Sequence, residues 1–449
     1  MQDNYLIQKK PLNALLIFSL PIIIGNFFQQ AYTMADSAIV GRYVSEKALA
    51  AVGSSFALTT IFICIAIGGG IGASVIVGQH FGSGNYAKMK EAVWTALIAF
   101  LFVSIILGVF GLLFSKQIMT ALNTPADVLD MAVIYLNIYF IGLPFLFMYN
   151  VVSAMFNALG KSKISLVFLI FSSVLNVILD LVFVCQFYMG VAGVAWATLI
   201  AQGISAVLSF VVLIGSFRKI DCGHTKVFGK EELWRMTKVA LPSILQQSTV
   251  SIGMLLVQSV VNGFGSASLA GFSAAMRTEN LLGVPMTGIG NAISSYTAQN
   301  IGANKQERVI EGYHAANKII LFFAVICLIV LGFFNRQIIS LFLGVNGTAV
   351  ALATGAGDLG FMKWFYCLFG FKMAVDGLLR GAGDIKVFMV ANLVNLLIRV
   401  LGAMILTPRY GIAMVWFCVP VGWFANWIIS FVHYRTGKWK HIYVKESVS

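Results

Sequence analysis

The chain has 449 residues, of which 59% are hydrophobic and only 10% are charged, and its mean hydropathy is +0.89. Ordinary soluble proteins carry about 25% charged residues, so this composition excludes a soluble globular protein and indicates a membrane protein. The formal net charge of +13 could also suggest nucleic-acid binding, and the positions of the charges decide between these interpretations.

Apolar segments long enough to cross a hydrocarbon core of about 30 Å recur along the chain. The first of them is too long for a cleavable signal peptide, so it counts as the first span. We predict twelve membrane-spanning helices, at 12–40, 49–79, 91–115, 127–156, 163–185, 191–217, 238–261, 268–299, 312–334, 353–378, 385–407 and 412–434.

Basic residues fall alternately into heavily and lightly charged loops. The heavy loops contain 20 Lys and Arg residues and the light loops 5, which is the positive-inside pattern. A surface that binds phosphates would not follow the parity of the spans, so we predict no nucleic-acid partner. We predict instead a multi-pass protein of the plasma (inner) membrane, with the lipid bilayer as its partner and both termini cytoplasmic.

The chain consists of two copies of one unit. The stretch "FSLP" at 18–21 matches "VALP" at 239–242, and "LNVILD" at 175–180 matches "VNLLIR" at 394–399, with offsets between 219 and 223 along the chain. Six spans per copy predict two lobes of equal orientation, related by a pseudo-two-fold axis along the membrane normal. We predict an N-lobe at 1–217, a cytoplasmic linker at 218–237 and a C-lobe at 238–449.

Two carboxylates lie deep in apolar spans of the first lobe. Asp36 lies in span 1 and Asp180 in span 5, where Asn176 precedes Asp180 by one turn, and Thr198 of span 6 reaches a similar depth. An Asp at the centre of a membrane helix costs about 2.5–3.5 kcal/mol, and no basic residue lies inside these spans. We predict a cation-coupling site at these four residues. The alternative is that they are hydrogen-bonded helix contacts, worth about 0.6 kcal/mol each.

Other intramembrane polar groups have weaker assignments. Polar positions of span 1 and of its repeat equivalent, span 7, are candidates for a substrate cavity: Asn26, Gln29, Gln30, Thr33, Gln246, Gln247 and Gln258. Pro21 and Pro242 open the two copies at matching places and are predicted hinges. In the second lobe we predict a structural charge network, with a substrate site as the alternative, among Arg277, Glu279, Lys372, Asp376 and Arg399.

Signatures of catalysis are missing from the sequence. It has no Walker A motif, no metal-ligand spacing among its five histidines and no C-x-x-C pair. The glycine-rich run "GGGIGA" at 68–73 lies within a span and predicts close helix packing. We predict that the chain is not an enzyme and needs no cofactor beyond a coupling ion, H+ or Na+.

The ordered motifs resemble the multidrug and toxic compound extrusion (MATE) family nearly end to end. They are "MADSAIVGRY", "GQHFGSGN", "ALGKSKI", "LNVILD", "GVAGVAWAT" and "LLRGAGDIK". Asp36, Asn176, Asp180 and Thr198 match the N-lobe cation site of the DinF-like branch. The resemblance implies a V-shaped antiporter, expected to be a monomer, that expels small amphipathic or cationic drugs as H+ or Na+ returns.

Two other functions compete with this interpretation. A lipid-linked oligosaccharide flippase of the same superfamily is the main alternative, although twelve spans and few basic cavity residues argue against it. A membrane-embedded enzyme would need clustered carboxylates or histidines, which the sequence does not contain.

The charge distribution generates a topology prediction. A reporter fused after Ser449 or inserted within 220–230 should lie in the cytoplasm, and one inserted at 118–124 should lie outside, because basic loops stay inside. Paired cytoplasmic and external reporters at each position measure this. A cytoplasmic signal at 118–124 would overturn the span assignment.

Overall fold

The computed structural model describes residues 4–122, 124–218, 220, 225–344 and 347–442, and the regular elements within these ranges are helical. Two short π-turns, Val40–Val44 and Val182–Gln186, directly follow two of the α-helices. The α-helices of the described ranges are α1 (Tyr5–Gln8), α2 (Pro11–Ile39), α3 (Glu46–Gly82), α4 (Tyr86–Ala121), α5 (Ala126–Ala158), α6 (Ser162–Leu181), α7 (Gly190–Arg218), α8 (Lys230–Asn262), α9 (Ser266–Gly302), α10 (Gln306–Leu343), α11 (Ala349–Met362), α12 (Tyr366–Ala382), α13 (Ile385–Tyr410) and α14 (Ala413–Thr436).

The predicted count of twelve crossings agrees with these helices. Ten of them are long and apolar enough to span a membrane by themselves. The eleventh is α9, which has 37 residues and a C-terminal half that is almost entirely buried, so its many polar side chains lie inside the protein. The predicted span at 353–378 corresponds to α11 and α12, which follow one another with only 363–365 between them.

The predicted span at 353–378 is divided between two helices, α11 and α12. The chain tightens at 363–365, where the N–H of Trp364 donates to the carbonyl of Phe361 (3.4 Å) and that of Phe365 to the carbonyl of Met362 (2.9 Å). Such three-residue spacing is a 3₁₀-type turn, which often marks a functional or hinge position inside a helix. Nothing in the hydropathy of the segment signals it.

Helix ends follow local sequence rules. The side chains of Ser45, Asn85 and Thr348 accept hydrogen bonds from N–H groups of the first turns of α3, α4 and α11, as N-cap residues do. Short polar side chains therefore stabilise the starts of these three helices.

The chain divides into two compact units. One comprises Met1–Ile23 with Leu245–Ser449, and the other comprises Ile24–Ile244. We call them the C-unit and the N-unit. Their boundaries fall two residues after Pro21 and two residues after Pro242, so each unit includes the first part of a helix whose remainder belongs to the other. The repeat-based lobe boundaries and the hinge role of the two prolines stay predictions.

The predicted linker at 218–237 is helical in its last part, since α8 begins at Lys230; residues 219 and 221–224 lie outside the described ranges. Glu232 is buried and lies 2.9 Å from Nε2 of His80 and 3.6 Å from Nζ of Lys88. The N–H of Gly229 donates to the Thr95 hydroxyl at 2.9 Å. The start of α8 is therefore anchored to the ends of α3 and α4 within the N-unit.

Close packing at the "GGGIGA" run agrees with the sequence prediction. A Cβ atom at Gly72 would lie 2.4 Å from the Cα of Ala240, and one at Gly68 would lie 2.6 Å from the Cα of Ile244. These glycines let α3 approach the backbone of α8 more closely than any side chain would allow.

We expect Gly72→Val to prevent normal folding of the N-unit, because its Cβ would collide with backbone that cannot move aside. Overpacking of this kind usually costs about 1–3 kcal/mol or more. Thermal unfolding and gel filtration of the detergent-solubilised protein measure it. Gly53→Ala is the matched control, since Gly53 is exposed and a Cβ there meets nothing within 4 Å. Equal melting temperatures for the two variants would contradict this packing.

Candidate cation site

The two predicted acidic residues lie just before the two π-turns. Asp36 is in the last turns of α2, before Val40–Val44, and Asp180 is in the last turn of α6, before Val182–Gln186. Val40 and Val184 are buried together with Val191 and Val194 in one apolar cluster. Packing of the π-turns thus holds the ends of α2 and α6 against the start of α7. Such turns are frequent at functional sites.

Asp180 is locked into a hydrogen-bonded chain. It is 0% exposed and Asn176, one turn earlier, is 2% exposed. Both ends of the Asn176 amide are satisfied when its nitrogen donates to Oδ2 of Asp180 and its oxygen accepts from the N–H of Thr198, each at 3.1 Å. The Thr198 hydroxyl donates to the carbonyl of Val194 at 3.1 Å. The chain ties α6 to α7.

Asp36 completes the group from α2. Its carboxyl group lies within hydrogen-bonding reach of the Asp180 carboxyl group. Tyr32, one turn before Asp36, lies near Thr198, and Tyr135 of α5 lies near both carboxyl groups. The structure therefore brings together all four predicted residues, Asp36, Asn176, Asp180 and Thr198, and adds two tyrosines.

The arrangement leaves acceptors without donors. Oδ1 of Asp36 and Oδ1 of Asp180 are both buried, and neither has a hydrogen-bond partner among the described residues. Two ionised carboxylates this close together are too costly to keep away from water. A proton that neutralises one of them, or a cation that binds between them, removes this cost. The surrounding groups are oxygens of carboxylate, amide and hydroxyl type, which suit a proton or a small hard cation.

A pocket adjoins the site within the N-unit. Its empty space is about 300 Å³, including space that is open to solvent. Its lining residues are Tyr135, Tyr139, Gly142, Leu146, Ala195, Thr198, Leu199 and Gln202. Thr198 and Tyr135 belong both to the pocket and to the carboxylate group, so a molecule in the pocket would contact the residues that surround the two acids.

The predicted cavity residues lie on α2 in the N-unit and on α8 in the C-unit. On α2, Gln29, Gln30 and Thr33 are exposed and Asn26 is half-buried, and the Thr33 hydroxyl donates to the carbonyl of Gln29 at 2.9 Å. On α8, Gln247 and Gln258 are half-buried.

Gln246 is buried and lies instead in a polar network of the C-unit. It lies 3.4 Å from Oδ1 of Asn392 and accepts from Arg380 at 3.5 Å. A substrate-cavity role for the predicted set stays a prediction.

The predicted C-lobe charges separate into distinct places. Lys372 and Asp376 form the expected pair four residues apart, at 2.9 Å, and both are buried. Asn392 bridges them, accepting from Lys372 at 3.1 Å and donating to Asp376 at 3.3 Å. Arg399 lies near Glu279, whereas Arg277 is exposed. The five predicted residues therefore do not form one network.

Sequence reasoning missed several members of these sites. In the sequence, Tyr32 and Tyr135 look like ordinary aromatic residues of apolar spans. The four-residue spacing of Tyr32 and Asp36 could have shown that these two lie on one face of the helix. Asp358, buried beside Glu279, is a further intramembrane acid that the apolar pattern of its span obscured. Asn392 and Arg380 gave no signal, because their partners lie on other helices.

Comparison with known proteins follows this geometry. The family model described as MatE matches residues 21–182 and 242–405, which together exceed half of the chain. "Probable multidrug resistance protein YpnP" of Bacillus subtilis is 28% identical over 436 residues, covering 96% of this chain and 97% of that protein. The FAD transporter of Shewanella oneidensis is 25% identical over 350 residues, 76% of this chain and 77% of that one.

Solved structures share the fold. A transporter of the MOP superfamily from Pyrococcus furiosus has a TM-score of 0.90 at 24% identity, covering 96% of this chain and 97% of that chain. A multidrug resistance MATE family transporter in an outward-facing conformation has a TM-score of 0.89, again at 24% identity and with the same coverage. With the family model matching both halves of a two-fold repeat, this multi-pass membrane protein belongs to the MatE family of transporters.

Proposed function

We propose that the chain is a secondary active multidrug efflux antiporter, which exports small amphipathic or cationic organic compounds in exchange for H+ or Na+. The observation that carries the proposal is the adjacent Asp36–Asp180 pair, whose buried Oδ1 atoms have no hydrogen-bond donor among the described residues. Relatives named as multidrug resistance proteins, in Bacillus subtilis and in Thermotoga maritima, support the substrate class.

The pair couples transport to an ion because the free-energy cost of burying the two acids depends on whether a proton or Na+ is bound to them. With a proton or Na+ bound, the two acids are neutralised and tolerate the apolar surroundings; without it, they carry uncompensated charge. Asn176 and Thr198 orient the carboxylates or contribute oxygens to the cation. Both H+ and Na+ are compatible with this chemistry.

Conformational change follows from the same difference. Cation loading is proposed to favour a collapsed N-unit pocket with α2 bent near Pro21, and so to expel substrate outward. The unit boundaries two residues beyond Pro21 and Pro242 support bending at these positions, since an internal proline removes a backbone hydrogen bond. Release of the cation on the other side resets the pocket.

The remaining assignments belong to this proposal. We place the chain in the plasma membrane as a monomer with cytoplasmic termini, in the DinF-like branch and without a cofactor; residues 443–449 at the C-terminus lie outside the described ranges. The flippase alternative would need basic side chains to hold a pyrophosphate. The pocket beside the cation site is lined instead by tyrosine, small and aliphatic residues, with Thr198 and Gln202.

Asp180→Asn is expected to fold at least as well as the wild type and to lose export. The amide keeps the shape and removes a buried charge, but it cannot alternate between charged and neutralised forms. Accumulation of a fluorescent cation such as ethidium in expressing cells, with protein level measured in parallel, tests this. If a normally expressed Asp180→Asn variant exports at the wild-type rate, Asp180 serves only as a hydrogen-bonded contact between helices and the proposed coupling role is wrong.

Two variants calibrate that result. Asp130→Asn makes the same chemical change at an exposed position of α5 and should export normally. Asn176→Ala removes the donor to Asp180 while leaving both acids, so it should weaken export less than Asp180→Asn does. A loss in Asn176→Ala alone would point to a packing role for this helix turn.

Export should depend on an ion gradient and not on ATP. One charge moving down a 100 mV potential releases about 2.3 kcal/mol, which at 1.4 kcal/mol per decade sustains roughly a 40-fold substrate gradient. Vesicles with imposed pH or Na+ gradients, tested separately, measure which ion drives uptake of the drug. Transport that persists after both gradients are dissipated, with ATP still supplied, would indicate another energy source.

A further inference from the structure

The first turns of α8 have two different faces, both within the N-unit. On one face, Glu232 and Met236 are buried. On the opposite face, Lys230, Trp234 and Lys238 are exposed. These three residues are spaced by four and therefore form one row along the helix. The start of α8 thus presents a row of basic and aromatic side chains on its outer side.

Polar contacts on the inner side fix the direction of this row. Glu232 lies 2.9 Å from the ring of His80, and the N–H of Gly229 donates to the Thr95 hydroxyl at 2.9 Å. The ammonium group of Lys90 donates to a carbonyl just before the helix, that of Ile220, at 2.7 Å. Because these contacts come from α3 and α4, the beginning of α8 is held in one orientation and its outer side stays outward.

The exposed row changes character along the helix axis. Leu241 is 56% exposed, and an exposed leucine of a membrane-spanning helix contacts lipid tails. Trp234 is 61% exposed and lies seven residues earlier, which is about 10 Å closer to the start of the helix. Tryptophan favours the level of the lipid headgroups. Lys230, one further turn outward, therefore lies at the level of the headgroup phosphates.

Lys238 extends its charge toward the same level. It lies one turn deeper than Trp234, and its ammonium nitrogen is 5.6 Å from the centre of the Trp234 ring. Side chains on a helix point back toward its N-terminus, so a long lysine can bring its charge out of the apolar region in this direction. The contact with Trp234 shows that Lys238 does so.

The segment before α8 continues the pattern. Val227 and Phe228 are exposed apolar side chains, and they stand between the exposed residues Lys226 and Lys230. Alternation of lysine with exposed apolar side chains is typical of protein surfaces that lie at the boundary between headgroups and acyl chains.

We propose that this outer side of the start of α8 binds the headgroup of an anionic phospholipid. The ammonium groups of Lys226, Lys230 and Lys238 surround the phosphate, and the acyl chains lie along Trp234 and Leu241. We call these five residues the lysine–tryptophan face. The proposal goes beyond ion-coupled export, and binding is measured without any ion gradient.

Charge and apolar surface together favour a lipid over other occupants. Between positions 225 and 241 the exposed charged residues are three lysines and one acid, Glu231, so the face has an excess of positive charge that suits an anion. A soluble phosphate would use the lysines and leave Phe228, Trp234 and Leu241 uncovered. An anionic phospholipid covers both parts, because its charge and its apolar chains meet at the depth where the face changes from basic to apolar.

Quenching of tryptophan fluorescence by brominated lipids tests the proposal on the full-length protein in phosphatidylcholine vesicles. The signal of Trp234 is the difference between the wild type and Trp234→Phe. Brominated phosphatidylglycerol, as a minor component, should associate with Trp234 at least about fivefold more strongly than brominated phosphatidylcholine, since each nearby lysine contributes about a factor of five toward an anionic headgroup.

Three results would overturn the proposal. Equal quenching by the two lipids would make the face a lipid contact without headgroup selectivity. No quenching by either lipid would show that a protein segment or a second copy of the chain covers Trp234. Loss of the phosphatidylglycerol preference on addition of inorganic phosphate, at constant ionic strength, would assign the lysines to a soluble anion.

Variants locate the binding. Lys226→Gln combined with Lys230→Gln should lower the preference for phosphatidylglycerol at least about fivefold, and each variant is compared with its own Trp234→Phe baseline. Lys116→Gln is the matched control, because Lys116 is exposed near the far end of α4, about 40 Å along that helix from Lys88, which contacts Glu232. A preference that persists in the double variant, or that falls equally in Lys116→Gln, would refute the assignment.

Discussion

The constraint on which the N-unit depends is that two carboxyl groups lie side by side inside the protein with no basic partner in the described part of the chain. Asp180 is fully buried, and Asp36 lies within hydrogen-bonding reach of it. An isolated charge is too costly to keep in an apolar medium. Each carboxylate must therefore be paired with a donor or neutralised by a bound proton or cation. Asn176, Thr198 and Tyr32 hold the geometry, and the π-turns fix the ends of the two helices that carry the acids. Val40, Val184, Val191 and Val194 form an apolar cluster beside these helix ends.

The two halves of the repeat handle buried charge differently. Arg399 occupies the repeat position of Asp180, and the buried Asp376 of the C-unit is fully paired by Lys372, Asn392 and Ser430. A paired acid is fixed in one state, whereas an acid with an orphaned oxygen can accept a ligand. The two halves thus share a helical plan but differ in chemistry, with two adjacent acids in one half and a fully paired Lys372–Asp376 ion pair in the other.

The segments that lead into the first helix of each repeat also differ in their chemistry. In the N-unit, Glu232 at the start of α8 meets His80 and Lys88. Asn300 and Arg308 occupy the corresponding positions of the C-unit, 220 residues further on, and bind the carbonyls of the N-terminal segment: Asn300 donates to Leu6 at 3.1 Å and Arg308 to Lys9 at 2.7 Å. Both junctions anchor the incoming chain next to the first helix of a repeat, one through a side-chain carboxylate and the other through backbone carbonyls.

The sequence by itself determined the properties that depend on composition and spacing along one helix. Apolar length predicted twelve crossings, the constant offset predicted the repeat, and the four-residue spacing of Asn176 and Asp180 placed them on one face, because these are local consequences of helical geometry. Contacts between distant helices were decided only by the tertiary structure. The meeting of Asp36 with Asp180, the tyrosines around them, the break at 363–365 and the Glu279–Asp358 pair all depend on which faces of separate helices pack together. A one-dimensional pattern does not encode that choice, since many pairings bury the same apolar area.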